Sequence, residues 1–232
     1  MVECTGFENR HGATHQRFES SRLRLYMEAS FIPQEFKHER FWFEQLVGFL
    51  LPGRTLKIGN GLGHLSEAIR TRVSQLDILD ICLFPQTINK DKVKLYGGSR
   101  IPYPDNFFES VIIVFTLHHI PDSSDYFKEM LRVTRTRIIL TEETFDSVPQ
   151  KMHLYYRDWY YNRVLRQTCP LYWNSYFSRK KLDQLIAGCG LQQTHRVTRR
   201  HRSYFREMVV LDKPLESPSP LPLREEFLSG AH

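Results

Sequence analysis

The stretch TLKIGNGLGHLSEAI, residues 55 to 69, constrains the fold of this chain more than any other. A short strand-like run leads into glycines at 59, 61 and 63, and Leu65, Ala68, Ile69 and Val73 then recur at helical spacing. Glycine lets a backbone turn tightly and approach a ligand closely, and a helix opening at such a turn presents unpaired N–H groups. A strand passing straight into a helix predicts a βαβ unit and a parallel sheet. Tight βα turns also carry glycine for steric reasons alone, so the turn leaves ligand binding open.

The rest of the chain repeats the alternation. Strands are expected over residues 55–58, 76–81, 93–96, 111–115, 137–140, 192–197 and 204–211. Helices are expected over 34–51, after Gly63, after the Asp122-Ser123 cap, over about 150–166, and from the Ser178 cap to Gly190. The run VIIVF at 111–115 has no polar alternation, which predicts a central strand buried on both faces. Asp80 ends the second strand, where nucleotide folds place a carboxylate for ribose hydroxyls.

At 232 residues, 41% of them hydrophobic, the chain suits one domain. Residues 34–212 form that domain, 1–33 an N-terminal arm or lid, and the Pro- and Ser-rich 213–232 a flexible tail. No run approaches the roughly 20 apolar residues of a spanning helix, and the polar start lacks a signal peptide, so a soluble cytoplasmic protein is expected. The four cysteines are scattered with no zinc-type spacing, so neither disulfides nor a metal are expected. The net charge is +6, much of it in RVTRRHRSYFR (196–206), which reads as a solvated hairpin, with an anion-binding patch as the alternative.

The block GGSRIPYPDNFFESVIIVFTLHHIPDSSDYFKEMLRVTRTRIILTEE resembles the middle of class I S-adenosylmethionine-dependent methyltransferases of the small-molecule type. Ile101-Pro102-Tyr103-Pro104-Asp105-Asn106 matches the loop before strand four, and Leu117-His118-His119-Ile120-Pro121-Asp122 the segment after it. Glu129, Arg132 and Val133 match the next helix, and with the glycine turn and Asp80 the resemblance covers roughly residues 55–143. It implies a doubly wound, Rossmann-like α/β sheet of seven strands with the last antiparallel, an N-terminal helical lid and a helical insertion after strand five. It also implies S-adenosylmethionine as cofactor. Gly59, Gly61 and Gly63 would cradle the methionine end, Asp80 and Ile81 the ribose, and Gly97, Gly98 and Ser99 the adenine, while Thr116 and Leu117 would line the sulfonium. His118 and His119 would meet the acceptor, where a neutral imidazole can act as general base.

Three positions depart from that pattern: Lys57 stands where the family has an acid, Gly97 replaces an acid before the adenine loop, and Asn60 takes the usual Cys or Ser place. Lys57 and Asn60 are expected among the cofactor-binding residues all the same. The stretch between Asp80 and Gly97 is too short for the family's helix after strand two. Tyr26 in the arm, Glu142 after strand five, and Tyr156, Trp159 and Tyr160 in the aromatic insertion are expected to form the acceptor pocket. The expected function is methylation of a small molecule by a monomer or homodimer, without nucleic-acid or membrane partners. Non-methylating use of the sulfonium, a non-catalytic scaffold and an RNA methyltransferase are the alternatives. Methyl transfer needs alignment more than a nucleophile, because the donor is already activated.

Overall fold

The computed structural model describes residues 37–164 and 169–214. Five helices and eight strands are assigned there: α1 (Lys37–Leu46), β1 (Arg54–Ile58), α2 (His64–Arg70), β2 (Gln75–Asp80), β3 (Val93–Leu95), β4 (Phe108–Val114), α3 (Ser123–Val133), β5 (Thr134–Phe145), α4 (Val148–Val164), β6 (Phe177–Ser178), α5 (Arg179–Ala187), β7 (Gln192–His201) and β8 (Tyr204–Asp212). The sheet order is β3-β2-β1-β4-β5-β8-β7, with β6 paired to the end of β5. Only β8 runs against its neighbours β5 and β7. This is the expected doubly wound sheet with an antiparallel last strand, plus the two-residue β6.

Side chains alternate across the sheet, so each strand feeds two cores. On one face Leu56, Ile58, Val111, Ile113 and Leu140 pack with Phe127 and Met130 of α3 and Leu182 of α5. On the other, Ile112, Ile139 and Val210 pack with Trp42 and Phe43 of α1 and Ala68 of α2. Val111, Ile112 and Ile113 are fully buried in a central strand, and each such side chain stabilises the fold by about 1.5–3 kcal/mol. Asp122 caps α3 by accepting the Asp125 N–H at 3.0 Å, and Ser178 caps α5 by accepting that of Lys181 at 3.1 Å.

Several boundaries differ from expectation. The helix expected over 34–51 is α1 followed by a 3-10 turn at Val47–Phe49, and residues 34–36 lie outside the described ones. β5 continues to Phe145 instead of ending at 140, because Thr141, Glu142, Glu143 and Thr144 keep pairing with β8. All four are buried, and buried carboxylates need partners from elsewhere in the fold. Between β2 and β3 the described residues hold only a 3-10 turn at Lys90–Lys92, as the short spacing predicted. The basic segment does form the β7–β8 hairpin, but it is not simply solvated. Arg196 donates to Glu207 at 2.7 Å and to Asp183 at 2.6 Å, Arg206 donates to Glu143 at 2.8 Å, and Arg199 lies over the Phe41 ring. Among the described residues no helix is long and apolar enough to cross a membrane.

The chain leaves β1 toward β2 and β3 on one side and returns to β4 and β5 on the other. Such a switch point opens a crevice at the carboxyl ends of the strands.

Candidate active site

That crevice is a cleft of about 990 Å³ along the ends of β1, β2 and β4, at the upper end of the size of small-molecule sites. Gly59 lies on its floor at φ +75, donating its N–H to the Leu79 carbonyl at 2.9 Å. A Cβ there would sit 2.2 Å from the Thr116 hydroxyl, so a side chain would push the turn off the segment after β4. Gly63 serves a different purpose. It starts α2 outside the cleft, and a Cβ would collide with Asn89 at 2.2 Å.

Asn60 is buried and makes the turn rigid, donating to Asn89 at 2.8 Å and accepting from Ser66 at 2.7 Å. Asp80 accepts the Asn60 N–H at 2.6 Å and the Ile81 N–H at 2.7 Å, so it faces the cleft already oriented. Ile81, Gly97, Gly98 and Ser99 line the same end. Tyr96 and Tyr126 meet there through a short hydroxyl–hydroxyl bond, and burial pushes the Tyr96 phenol up to about 12, so both stay neutral donors.

Lys57 lines the cleft at 2% exposure, with its ammonium on the Gly59 carbonyl. It pairs in register with Ile112 and projects from the face opposite Leu56 and Ile58. Glu142 shares the Leu140 face, so strand alternation places the two charges on opposite sides of the sheet.

The two histidines separate. His119 lines the cleft beside Thr116, with Nδ1 2.9 Å from the Pro170 carbonyl. Burial, followed by the charge of His118, holds its pKa down near 4, so the ring is neutral. His118 does not line the cleft. It is 2% exposed, with Nδ1 2.5 Å from Glu142 Oε1 and Nε2 3.5 Å from Asp158 Oδ2. Burial opposes its charge, but Glu142 and then Asp158 outweigh that and push its pKa up to about 10. Behind this pair, Arg157 binds both Glu143 and Asp158 and Arg206 also binds Glu143, which holds the Glu143 carboxyl down to about 2 against its burial.

Other expected residues are elsewhere. Leu117 is fully buried in the core, and Glu142 is sealed and engaged by His118. Tyr156, Trp159 and Tyr160 are 64%, 47% and 46% exposed and point away from the cleft, because Leu154 and Asp158 form the inward face of α4. Tyr26 lies outside the described residues. The wall opposite the glycine turn is instead Tyr161, Cys169, Pro170 and Tyr172. The spacing of Leu154, Asp158 and Tyr161 carried that signal, but an acid on the inward face disguised it.

The residues suit an adenosyl donor: a turn too tight for a Cβ, an oriented carboxylate at the end of β2, and an open approach at Gly61, where an added Cβ would meet nothing within 4 Å. A methyltransferase domain model matches residues 56–140. The demethylmenaquinone methyltransferase of Alkalihalophilus pseudofirmus is 28% identical over 123 residues, 48% of this chain and 48% of that protein. A ubiquinone/menaquinone biosynthesis C-methyltransferase of Geotalea daltonii is 27% identical over 49% of this chain and 54% of its own. The chain thus spans about half the length of these curated relatives. In fold it is similar to the magnesium protoporphyrin IX methyltransferase of Synechocystis PCC 6803, solved with bound SAH, at TM-score 0.56 and 14% identity over 76% of this chain and 84% of that one. Matched through its central strands by a methyltransferase domain model and built on the same sheet as that solved structure, the chain is similar to the class I S-adenosylmethionine-dependent methyltransferases and shares their fold.

Proposed function

We propose that this chain transfers a methyl group from S-adenosylmethionine to a small molecule. The observation that carries the reading is the two-ended cleft: the glycine turn, Asp80 and Tyr96 on one side, and His119, Tyr161, Cys169 and Tyr172 on the other. Gly59 and Gly61 hold the amino-acid end, with Lys57 offering a positive charge suited to a carboxylate. Asp80 accepts the ribose hydroxyls, and Gly97, Gly98 and Ser99 flank the base. When bound, the cofactor supplies an activated methyl on a sulfonium, and the chain's task is to align it and exclude water. The aromatic wall favours an apolar or planar acceptor, and the family relatives named as quinone-pathway methyltransferases support a small molecule.

Mass spectrometry of the purified protein incubated with S-adenosylmethionine and a panel of planar small molecules tests this. The expected result is an acceptor heavier by one methyl and an equal amount of S-adenosylhomocysteine. Donor consumption without methylated product points to non-methylating chemistry, and a donor that neither binds nor reacts points to a scaffold. Either result overturns the proposal.

A further inference from the structure

The two histidines after β4 and one acid on α4 form a donor set that methyl transfer does not itself require. A ring nitrogen of His118, one of His119 and a carboxylate oxygen of Asp158 all lie within 4.8 Å of one another. His118 Nε2 is buried with no hydrogen-bond partner. It faces Asp158 Oδ2 at 3.5 Å, too far for a good hydrogen bond. Two ligand atoms each about 2.1 Å from a tetrahedral ion stand roughly 3.4 Å apart, which is close to this spacing. We propose that His118, His119 and Asp158 bind a divalent transition-metal ion, of which Zn²⁺ is the best match, at the acceptor end of the cleft.

The surroundings are those of a built site. Metal-binding histidines donate the second ring nitrogen to an oxygen, which sets the ring's orientation and leaves the first as a lone pair. His118 spends Nδ1 on Glu142 at 2.5 Å, and His119 spends Nδ1 on the Pro170 carbonyl at 2.9 Å. Nε2 of His119 is thus left for an ion, and Nε2 of His118 becomes a ligand as the ion displaces its proton. Asp158 is fixed by the Tyr176 hydroxyl at 2.7 Å and by Arg157 at 2.6 Å. The donors come from the 3-10 turn Leu117–His119, anchored by Leu117 in the main core, and from α4, anchored by Leu154 in a smaller cluster with Tyr176 and Tyr204. Glu142, Glu143 and Asp158 are buried beside two guanidiniums, Arg157 and Arg206, and an ion at His118 takes the place of the proton that Glu142 and Asp158 hold on that ring.

Two imidazoles and one carboxylate suit a borderline ion and leave at least one position for another ligand. His119 lines the cleft, so that position opens toward the acceptor rather than the protein interior. An acceptor hydroxyl or thiol bound there would lose its proton more readily. This use of the ion rests on the methyl-transfer reading, whereas the ion site does not.

Chelator-treated full-length protein titrated with Zn²⁺ alone in equilibrium dialysis, and with Co²⁺ followed by visible absorption, provides the test. Neither readout needs donor or acceptor, so a chain that methylates but binds no ion loses only this inference. Saturable binding of one ion per chain is expected, with the d–d bands of a low-coordinate cobalt site. His119→Ala and Asp158→Asn should each weaken it at least about tenfold, and Glu142→Gln by about 10- to 100-fold. His195→Ala, packed against Phe49 away from the cleft, should leave it unchanged. Near-ultraviolet circular dichroism reports whether each variant is folded. If Asp158→Asn does not fold, the half-buried His119 decides by itself. Absence of saturable binding in the folded wild-type chain overturns the site, as does binding undiminished by His119→Ala.

Discussion

His118 Nδ1 lies 2.5 Å from Glu142 Oε1, and both side chains are sealed from solvent. The other Glu142 oxygen accepts the His118 N–H at 3.2 Å, so one carboxylate clamps the segment after β4 to the end of β5. That segment carries Thr116 and His119 into the cleft, and the clamp is what makes it a fixed wall. Removing one partner of a buried ionic pair leaves an uncompensated charge. Glu142→Ala should therefore lower unfolding free energy by about 3–5 kcal/mol in urea titrations. A loss within error would mean that the contact is not formed in solution.

Asp80 is oriented toward the cleft by the N–H groups of Asn60 and Ile81. Asp80→Ala should weaken S-adenosylmethionine binding by about 1.5–3 kcal/mol, the scale of a charge-assisted hydrogen bond. Calorimetry showing unchanged affinity would place the donor elsewhere.

Lys57 reverses the sign of charge expected at the end of β1, and its ammonium is turned onto the Gly59 carbonyl. A unit-charge pair at about 4 Å and an effective dielectric near 20 is worth roughly 4 kcal/mol, so the sign here matters. If the ammonium receives the donor's carboxylate, Lys57→Asp should weaken donor binding at least about tenfold, a cost of roughly 1.4 kcal/mol or more. A variant that instead binds tenfold tighter would mark the site as a decayed version of the ordinary one.

Tyr161 reaches the cleft and Tyr156, five residues earlier on the same helix, faces solvent stacked on Trp159. With an acceptor identified by mass spectrometry, Tyr161→Ala should raise its KM about tenfold, by roughly 1.4 kcal/mol of lost apolar contact. Tyr156→Ala should leave KM within a factor of two. The opposite pattern would mean that α4 turns its aromatic face inward when substrate binds.

Much of the fold was legible because its signals are local. The VIIVF run, the glycine turn and the Ser178 cap each depend on neighbours a few positions away, and each appears as its residue types require, except that Phe115 leaves the strand at φ +48 and, like Val114, is only half-buried. The end of β5 was not legible. TEET reads as the polar finish of a strand, yet it stays in the sheet because Arg157, Arg206 and His118, distant in sequence, bring charge to its carboxylates. The aromatic insertion misled for a related reason. Its rings suggested a pocket face, but burial on α4 is set by Leu154 and by Asp158, an acid that only a partner makes tolerable inside.

By itself the sequence determined the order of strands and helices and the turn, loop and acid pattern that carries the resemblance to class I methyltransferases, because backbone geometry and core patterning act over short spans. Tertiary structure alone decided which histidine reaches the cleft and which is buried, since that depends on where Glu142, Pro170 and Asp158 come to lie. The same holds for the candidate ion site. Its three donors sit on a turn after β4 and on α4, a separation no metal-ligand spacing encodes, and only the packing of that helix against the sheet brings them within 4.8 Å.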